Sequence, residues 1–311
     1  MAMLSWAARL NRDARDWEAG VMVSGQDELQ FAVGVPNVGS FGEPLLLTRL
    51  AVAADESGWD GFFIWDHLLY RDQRWPVADP TVVTAAVAVL TSRVRFGVLV
   101  NLLARRRVGK VARETVTLDR LSGGRLIVGA GLGSVTEEFT SFGEPGSPRE
   151  RASRLDESLE ALAALWRGEP VTFAGEHVTI TDVTMQPPPV QQPRIPVWCG
   201  GRWPSKAPFR RAARWDGVMP THAGYGLGET MPPSELAAIL GYLAGYRADP
   251  AAPFAVALEG RTDGSARDRG GQHVAPYRDV GLTWWLEALG WWRGTPDQAM
   301  ARIRQGPPRL G

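Results

Sequence analysis

Eight short apolar runs, each followed by a segment with apolar residues at helical spacing, predict a (β/α)8 barrel, the TIM-barrel fold, over residues 31–311. Two further observations point the same way. The runs are continuously apolar rather than alternating, as strands buried on both faces are. Glycines and polar residues gather where the runs end, which in such a barrel is one rim. A β-hairpin insertion is expected between the fourth helix and the fifth strand. An open doubly wound sheet is the competing architecture.

The elements follow in order. "FAVGVP" (31–36) is a β-branched run stopped by proline, and "EPLLLTRLAVAADESG" (43–58) is a helix ending at Gly58. "GFFIW" (61–65) is the second strand. In "DPTVVTAAVAVLTS" (79–92), Asp79 is placed to cap a helix and Pro80 to fill its first position. "VRFGVLVN" is the third strand, "GKVARETVTLDRLSGG" its helix, "RLIVGAG" the fourth strand and "RASRLDESLEALAALWRG" the fourth helix. Residues 169–194 interrupt the alternation with the hairpin and a proline-rich turn. "IPVWCG", "GVMP", "PFAVALEG" and "LTWWLEAL" are the remaining strands, and the last helix is "TPDQAMARIRQ". Residues 1–30 lack this regularity; they are expected to be a loosely packed, disordered leader, the alternative being an oligomer contact.

Composition narrows the function. Lys and Arg together number 34, as do Asp and Glu, so no basic excess draws the chain to nucleic acid or an anionic membrane. The lone cysteine, Cys199, excludes an internal disulfide and points to a reducing, cytoplasmic setting. No apolar run reaches the length of a membrane span, and the N-terminus shows no secretory signal. A small-molecule substrate is therefore the expected partner, with the oligomeric state, monomer or homodimer, left open.

At the rim, the second strand delivers Asp66 and His67, and the sixth Thr221 and His222. His67 could move a proton beside a cofactor or ligate a metal. Consecutive strand residues point to opposite faces, so Asp66 and His67 need not touch. The four histidines show no H-x-H or H-E-x-x-H spacing, and no metal site is expected. "VGAGLG" (128–133) has no third glycine at dinucleotide spacing, and reads as a strand end cleared so that something flat can approach. "CGGRWPSK" (199–206) reads as a loop at a helix start, with Gly200, Gly201 and Arg202 holding a phosphate. "RRRVGK" (105–110) reads as a solvated loop. In "WWLEALGWW", Trp284 and Trp285 fall on opposite faces and the cluster is expected mainly to pack the barrel against the last helix.

"ESGWDGFFIWDHLLY", "RETVTLDRLSGGRLIVGAGLG" followed by "EEF", and "RIPVWCGGRWPSKAPFRRAARWDG" together resemble the bacterial luciferase-like monooxygenase family. The resemblance implies a (β/α)8 barrel binding coenzyme F420, a deazaflavin, or FMN. It implies catalytic roles for His67 and Asp66, and cofactor binding by Leu99, Val100, Asn101, Gly131, Gly133, Gly200, Gly201 and Arg202. A non-prolyl cis peptide is implied near Leu99–Val100. Ser134 stands where sugar-phosphate dehydrogenases of the deazaflavin branch carry a glutamate, which puts that substrate in doubt. The expected activity is hydride transfer between F420 and a small organic substrate, with FMN-dependent monooxygenation as the alternative. Two other classes remain: a metal-dependent barrel hydrolase using Asp66, His67 and His222, and a cofactor-binding protein without turnover.

Overall fold

In the computed structural model, which describes residues 29–264 and 267–310, eight parallel strands close into a barrel. Four come first: β1 (Gln30–Val35), β2 (Gly61–Ile64), β3 (Arg95–Asn101) and β4 (Leu126–Ala130). The antiparallel hairpin β5 (Val171–Ala174) and β6 (Thr179–Val183) follows outside the barrel, at the expected insertion point. The barrel closes with β7 (Val197–Trp203), β8 (Gly217–His222), β9 (Ala255–Gly260) and β10 (Trp284–Ala288), which returns to β1. The leader lies outside the described residues, Leu29 and Gln30 excepted.

The helices are α1 (Pro44–Glu56), α2 (Pro80–Leu90), α3 (Val108–Ser122), the short α4 (Glu137–Thr140), α5 (Pro148–Leu165), α6 (Ala207–Ala212), α7 (Pro233–Ala244), α8 (Arg267–Asp279) and α9 (Pro296–Arg304). Their starts are written in the chain. The Asp79 carboxylate accepts from Val82 N at 2.9 Å ahead of α2, and Thr295 and Gln298 form a reciprocal capping box ahead of α9. Gly123 ends α3 in the left-handed region at φ 66°.

Strand alternation sorts the core into two layers. Ala32, Phe63, Leu99, Ile127, Trp198, Met219, Ala257, Trp284 and Leu286 fill the barrel interior, and the alternate residues pack against the helices. Trp284 and Trp285 divide as expected: Trp284 meets Trp198 inside, while Trp285 packs outside against His273 and Tyr277 of α8.

Two stretches differ from the sequence reading. Gly200, Gly201 and Arg202 are not a loop; they continue β7, pairing with Met219, Pro220 and Thr221 of β8. Glycine allows the loop reading without requiring it, and the ladder with β8 decides. The β7–β8 ladder has six residue pairs, up to Trp203↔His222, whereas β8 and β9 share only Gly217↔Ala255 and Val218↔Val256. The barrel wall therefore parts between the upper halves of β8 and β9. At β3, register shifts between Val98 and Asn101, and the Leu99–Val100 peptide is cis, where the resemblance implied it.

On the opposite face, four aspartates tie down the ends where strands enter. Asp60 accepts from Phe31 N; Asp55 from Ser92, Arg93 and Val94 N; Asp119 from Val190 and Gln191 N; and Asp216 from Val197 N. No described helix is long and apolar enough to cross a membrane.

Candidate active site

A cavity of about 710 Å³ opens at the carboxyl ends of the strands, on the side where β8 and β9 part. Its lining includes His67, Ser134, Arg202 and His222 from the sequence reading. That size is typical of sites that enclose a small molecule.

His67 leaves β2 with its backbone clamped at both ends by Asn37, which accepts from His67 N at 3.0 Å and donates to its carbonyl at 2.8 Å. Its Nδ1 lies 3.2 Å from Oε2 of Glu138 on α4. Glu138 is fully buried; its other oxygen accepts from the backbone N–H groups of Leu68 and Leu69. A carboxylate so placed fixes the imidazole with Nδ1 as donor, which leaves Nε2 without a protein partner among the described residues. The ring is held edge-on by Tyr70 at 4.8 Å and Trp65 at 5.9 Å.

Asp66 points elsewhere. It accepts from Leu102 N at 3.0 Å and from Arg105 at 2.7 Å, and Arg105 reaches Glu138 at 3.6 Å. Asp66 is absent from the cavity lining and braces the corner that carries Glu138. Arg105, read as part of a solvated loop, is nearly buried because both carboxylates draw it inward.

The expected cofactor residues form a packed corner beside this site. A Cβ at Gly131 would come within 2.3 Å of Val100 Cγ2, and one at Gly200 within 3.1 Å of Val100 Cγ1. The space cleared by those glycines is thus taken by Val100, not left for a flat ligand. Leu102 and Phe139 fill the space at Gly133. Leu99 belongs to the interior layer, and the Asn101 amide donates to Gly129 O at 3.0 Å. Gly201 faces outward, its Cβ direction meeting Phe209 and Pro208 of α6 at 3.1 Å. Of this set only Arg202 lines the cavity.

Residues not singled out from sequence build the walls. Trp65 and Trp292 stack at 5.2 Å and 10°, and Trp291 meets Trp65, Tyr70 and Trp75 edge-on. Trp291 and Trp292, expected mainly to pack the last helix, therefore line the cavity. The buried Trp292 Nε1 has no hydrogen-bond partner among the described residues. Arg71, Arg202 and Arg261 line the mouth, exposed and without ion pairs among the described residues. His222 accepts from Gly224 N at 2.9 Å and contacts Glu235 at 3.4 Å. Asp66, His67 and His222 do not converge as metal ligands would. Cys199 is buried, which pushes its thiol up to about 12 and leaves no thiolate at neutral pH. Glu259, at the end of β9, also borders the cavity. Its inward phase could have been read from "FAVALE", where Ala255, Ala257 and Glu259 share one face.

A parallel barrel with a cavity among its strand ends is the arrangement in which barrel enzymes hold their active sites. The luciferase-like monooxygenase family model matches residues 40–232, and the chain belongs to that family of oxidoreductases. An uncharacterized Mycobacterium tuberculosis protein is 32% identical over 192 residues, covering 56% of this chain and 64% of the relative. The F420-dependent glucose-6-phosphate dehydrogenase of Nakamurella multipartita is 34% identical over 170 residues, covering 52% and 48%. The chain thus spans from about half to just under two thirds of the length of these curated relatives. The coenzyme F420-dependent tetrahydromethanopterin reductase of Methanopyrus kandleri shares the fold, with a TM-score of 0.71 at 17% identity over 90% of this chain and 98% of that one.

Proposed function

We propose that this protein transfers hydride between coenzyme F420 and a small organic substrate. The observation that carries the reading is the His67–Glu138 pair, opening on a cavity walled by aromatic rings. The name of the Nakamurella relative favours F420 over FMN.

The residues present fit such a cofactor. The cavity is large enough to take a flat ring system beside a small substrate. Arg71, Arg202 and Arg261 would hold its anionic side chain. Leu99, Val100, Asn101, Gly131, Gly133, Gly200 and Gly201 would form the rigid corner behind it. When bound, the deazaflavin supplies a two-electron hydride carrier. The chain's own work is to exclude water, orient the substrate and manage the proton of the cofactor ring at His67 Nε2, with Glu138 fixing the tautomer. Asp66 acts at one remove, through Arg105 and Glu138. Ser134 lines the cavity without a carboxylate to offer, and the aromatic wall suits a flat apolar substrate better than a sugar phosphate. A cytoplasmic setting fits the buried free thiol.

Titration of the protein with F420 and with FMN, followed by fluorescence, tests the cofactor. F420 is expected to saturate, with FMN at least about tenfold weaker. The reverse order would make the protein an FMN enzyme, and binding of neither would end the proposal.

A further inference from the structure

The aromatic wall ends at a carboxyl group that the scheme above does not use. Ala255, Ala257 and Glu259 share the inward phase of β9, so Glu259 stands on top of the apolar layer of Trp284, Trp198 and Leu286. On the β1 side the nearest position is Gly34, where an added Cβ would lie 3.7 Å from Glu259 Oε1. Among the described residues its one hydrogen bond comes from Trp65 Nε1 at 3.3 Å. No cation pairs with it among the described residues.

The titratable and charged groups around it belong to other networks. His67 is engaged by Glu138 on the far side of Trp65, and His222 by Gly224 and Glu235. Arg261 follows just after the end of β9 and lines the mouth. Glu287 on β10 points outward, to Thr262, Arg293 and Arg302, and keeps Arg293 occupied. Glu259 therefore faces the cavity with one indole for company, and burial pushes its pKa up, only partly offset by the Trp65 N–H.

We propose that Glu259 is the proton-exchanging carboxyl for a flat, apolar carbonyl substrate whose ring lies along the Trp65–Trp292 wall. Hydride adds to the carbonyl carbon with its electron pair, the carbon–oxygen π pair moves onto oxygen, and that oxygen takes the Glu259 proton. The carboxylate left behind is reprotonated from water at the mouth. In the reverse direction the carboxylate takes the hydroxyl proton as hydride leaves carbon. A cavity carboxyl kept away from cations is suited to this because its neutral form can donate.

The inference rests on the hydride-transfer reading, and benzaldehyde is the probe that tests it separately. Infrared spectra of bound benzaldehyde should show a carbonyl stretch lowered in the wild type and restored in Glu259→Ala, with affinity weakened about tenfold. In the wild type the lowering should fade as pH rises and Glu259 ionises. Glu259→Gln keeps an acceptor for Trp65 and an N–H donor, so it should retain most affinity while losing the pH dependence. A residue that merely positions Trp65 would leave the carbonyl stretch and its pH dependence unchanged in both variants. Absence of saturable benzaldehyde binding, or identical stretches in wild type and Glu259→Ala, would overturn the proposal. F420 titration of the same samples keeps the two readings apart. F420 binding without the carbonyl signature removes Glu259 from the chemistry alone, and the signature without F420 binding removes the cofactor assignment alone.

Discussion

The two faces of the barrel treat charge in opposite ways. On the face where strands enter, Asp55, Asp60, Asp119 and Asp216 each accept backbone N–H groups of an incoming segment, Arg194 pairs with Asp216 and Arg125 stacks on Phe96. On the face where strands leave, three arginines have no counter-ion and Glu259 has a single indole donor among the described residues. A polar group spent on backbone holds the fold; one left facing a cavity is available to a ligand. That division of labour is the one expected of this architecture, and it can be tested one face at a time.

The largest effect is expected at the open face. His67→Asn should lower the rate of hydride transfer by about 10²–10⁴-fold, with cofactor affinity changed far less. Stopped-flow absorbance of F420 with any substrate the enzyme turns over reads both, and a wild-type rate in the folded variant would reduce His67 to packing. Next comes Asp119→Ala on the closed face. It strands Val190 N, Gln191 N and the Gln191 amide, and should cost about 3 kcal/mol in denaturant unfolding while F420 affinity stays unchanged. A parallel loss of cofactor binding would mean that the two faces are coupled.

Two smaller effects should have opposite pH signs. Burial works to raise the Asp55 pKa, but the N–H groups of Val94, Ser92 and Arg93 outweigh it and hold the carboxylate below its ordinary 3.8. Its stabilisation is complete above that value and lost as pH falls through the lower, folded one. Asp55→Asn should therefore be less stable than wild type at neutral pH by about 1–2 kcal/mol, with the gap closing in acid. Glu259 behaves in reverse: burial raises its pKa above its ordinary 4.5, so it costs stability progressively as pH rises past that value. Glu259→Gln should gain melting temperature over wild type as pH rises from about 5 to 8, and a constant difference would mean that the carboxyl is already ionised.

The barrel was legible because its signals are local. "GFFIW", "RLIVGAG" and "DPTVVTAAVAVLTS" carry their own periodicity and caps, and each falls within a residue or two of its observed bounds. The candidate site was legible only where a strand end announced a residue that now lines the cavity, as at His67. Its partner Glu138 lies 71 residues away on a helix of four, and nothing in "EEF" says which strand it will meet. The three consecutive arginines at 105–107 read as solvated because the two carboxylates that bury Arg105, Asp66 and Glu138, are also remote in sequence. At Gly201 the residue type was suggestive and the direction was not: the side that seemed open to a phosphate belongs to Phe209.

The short ladder between β8 and β9 has a consequence for motion. Two residue pairs hold these neighbours together, against six between β7 and β8. The upper halves of β8 and β9 form a seam, and the cavity sits in it, with Pro220–His222 on one lip and Leu258–Gly260 on the other. Backbone groups along a seam have water as their default partner. Amide hydrogens on the upper part of β8 that face β9 should accordingly exchange with solvent well before those of β1–β4. The wall at that point can widen for a bulky guest and close again while every other strand keeps its neighbours.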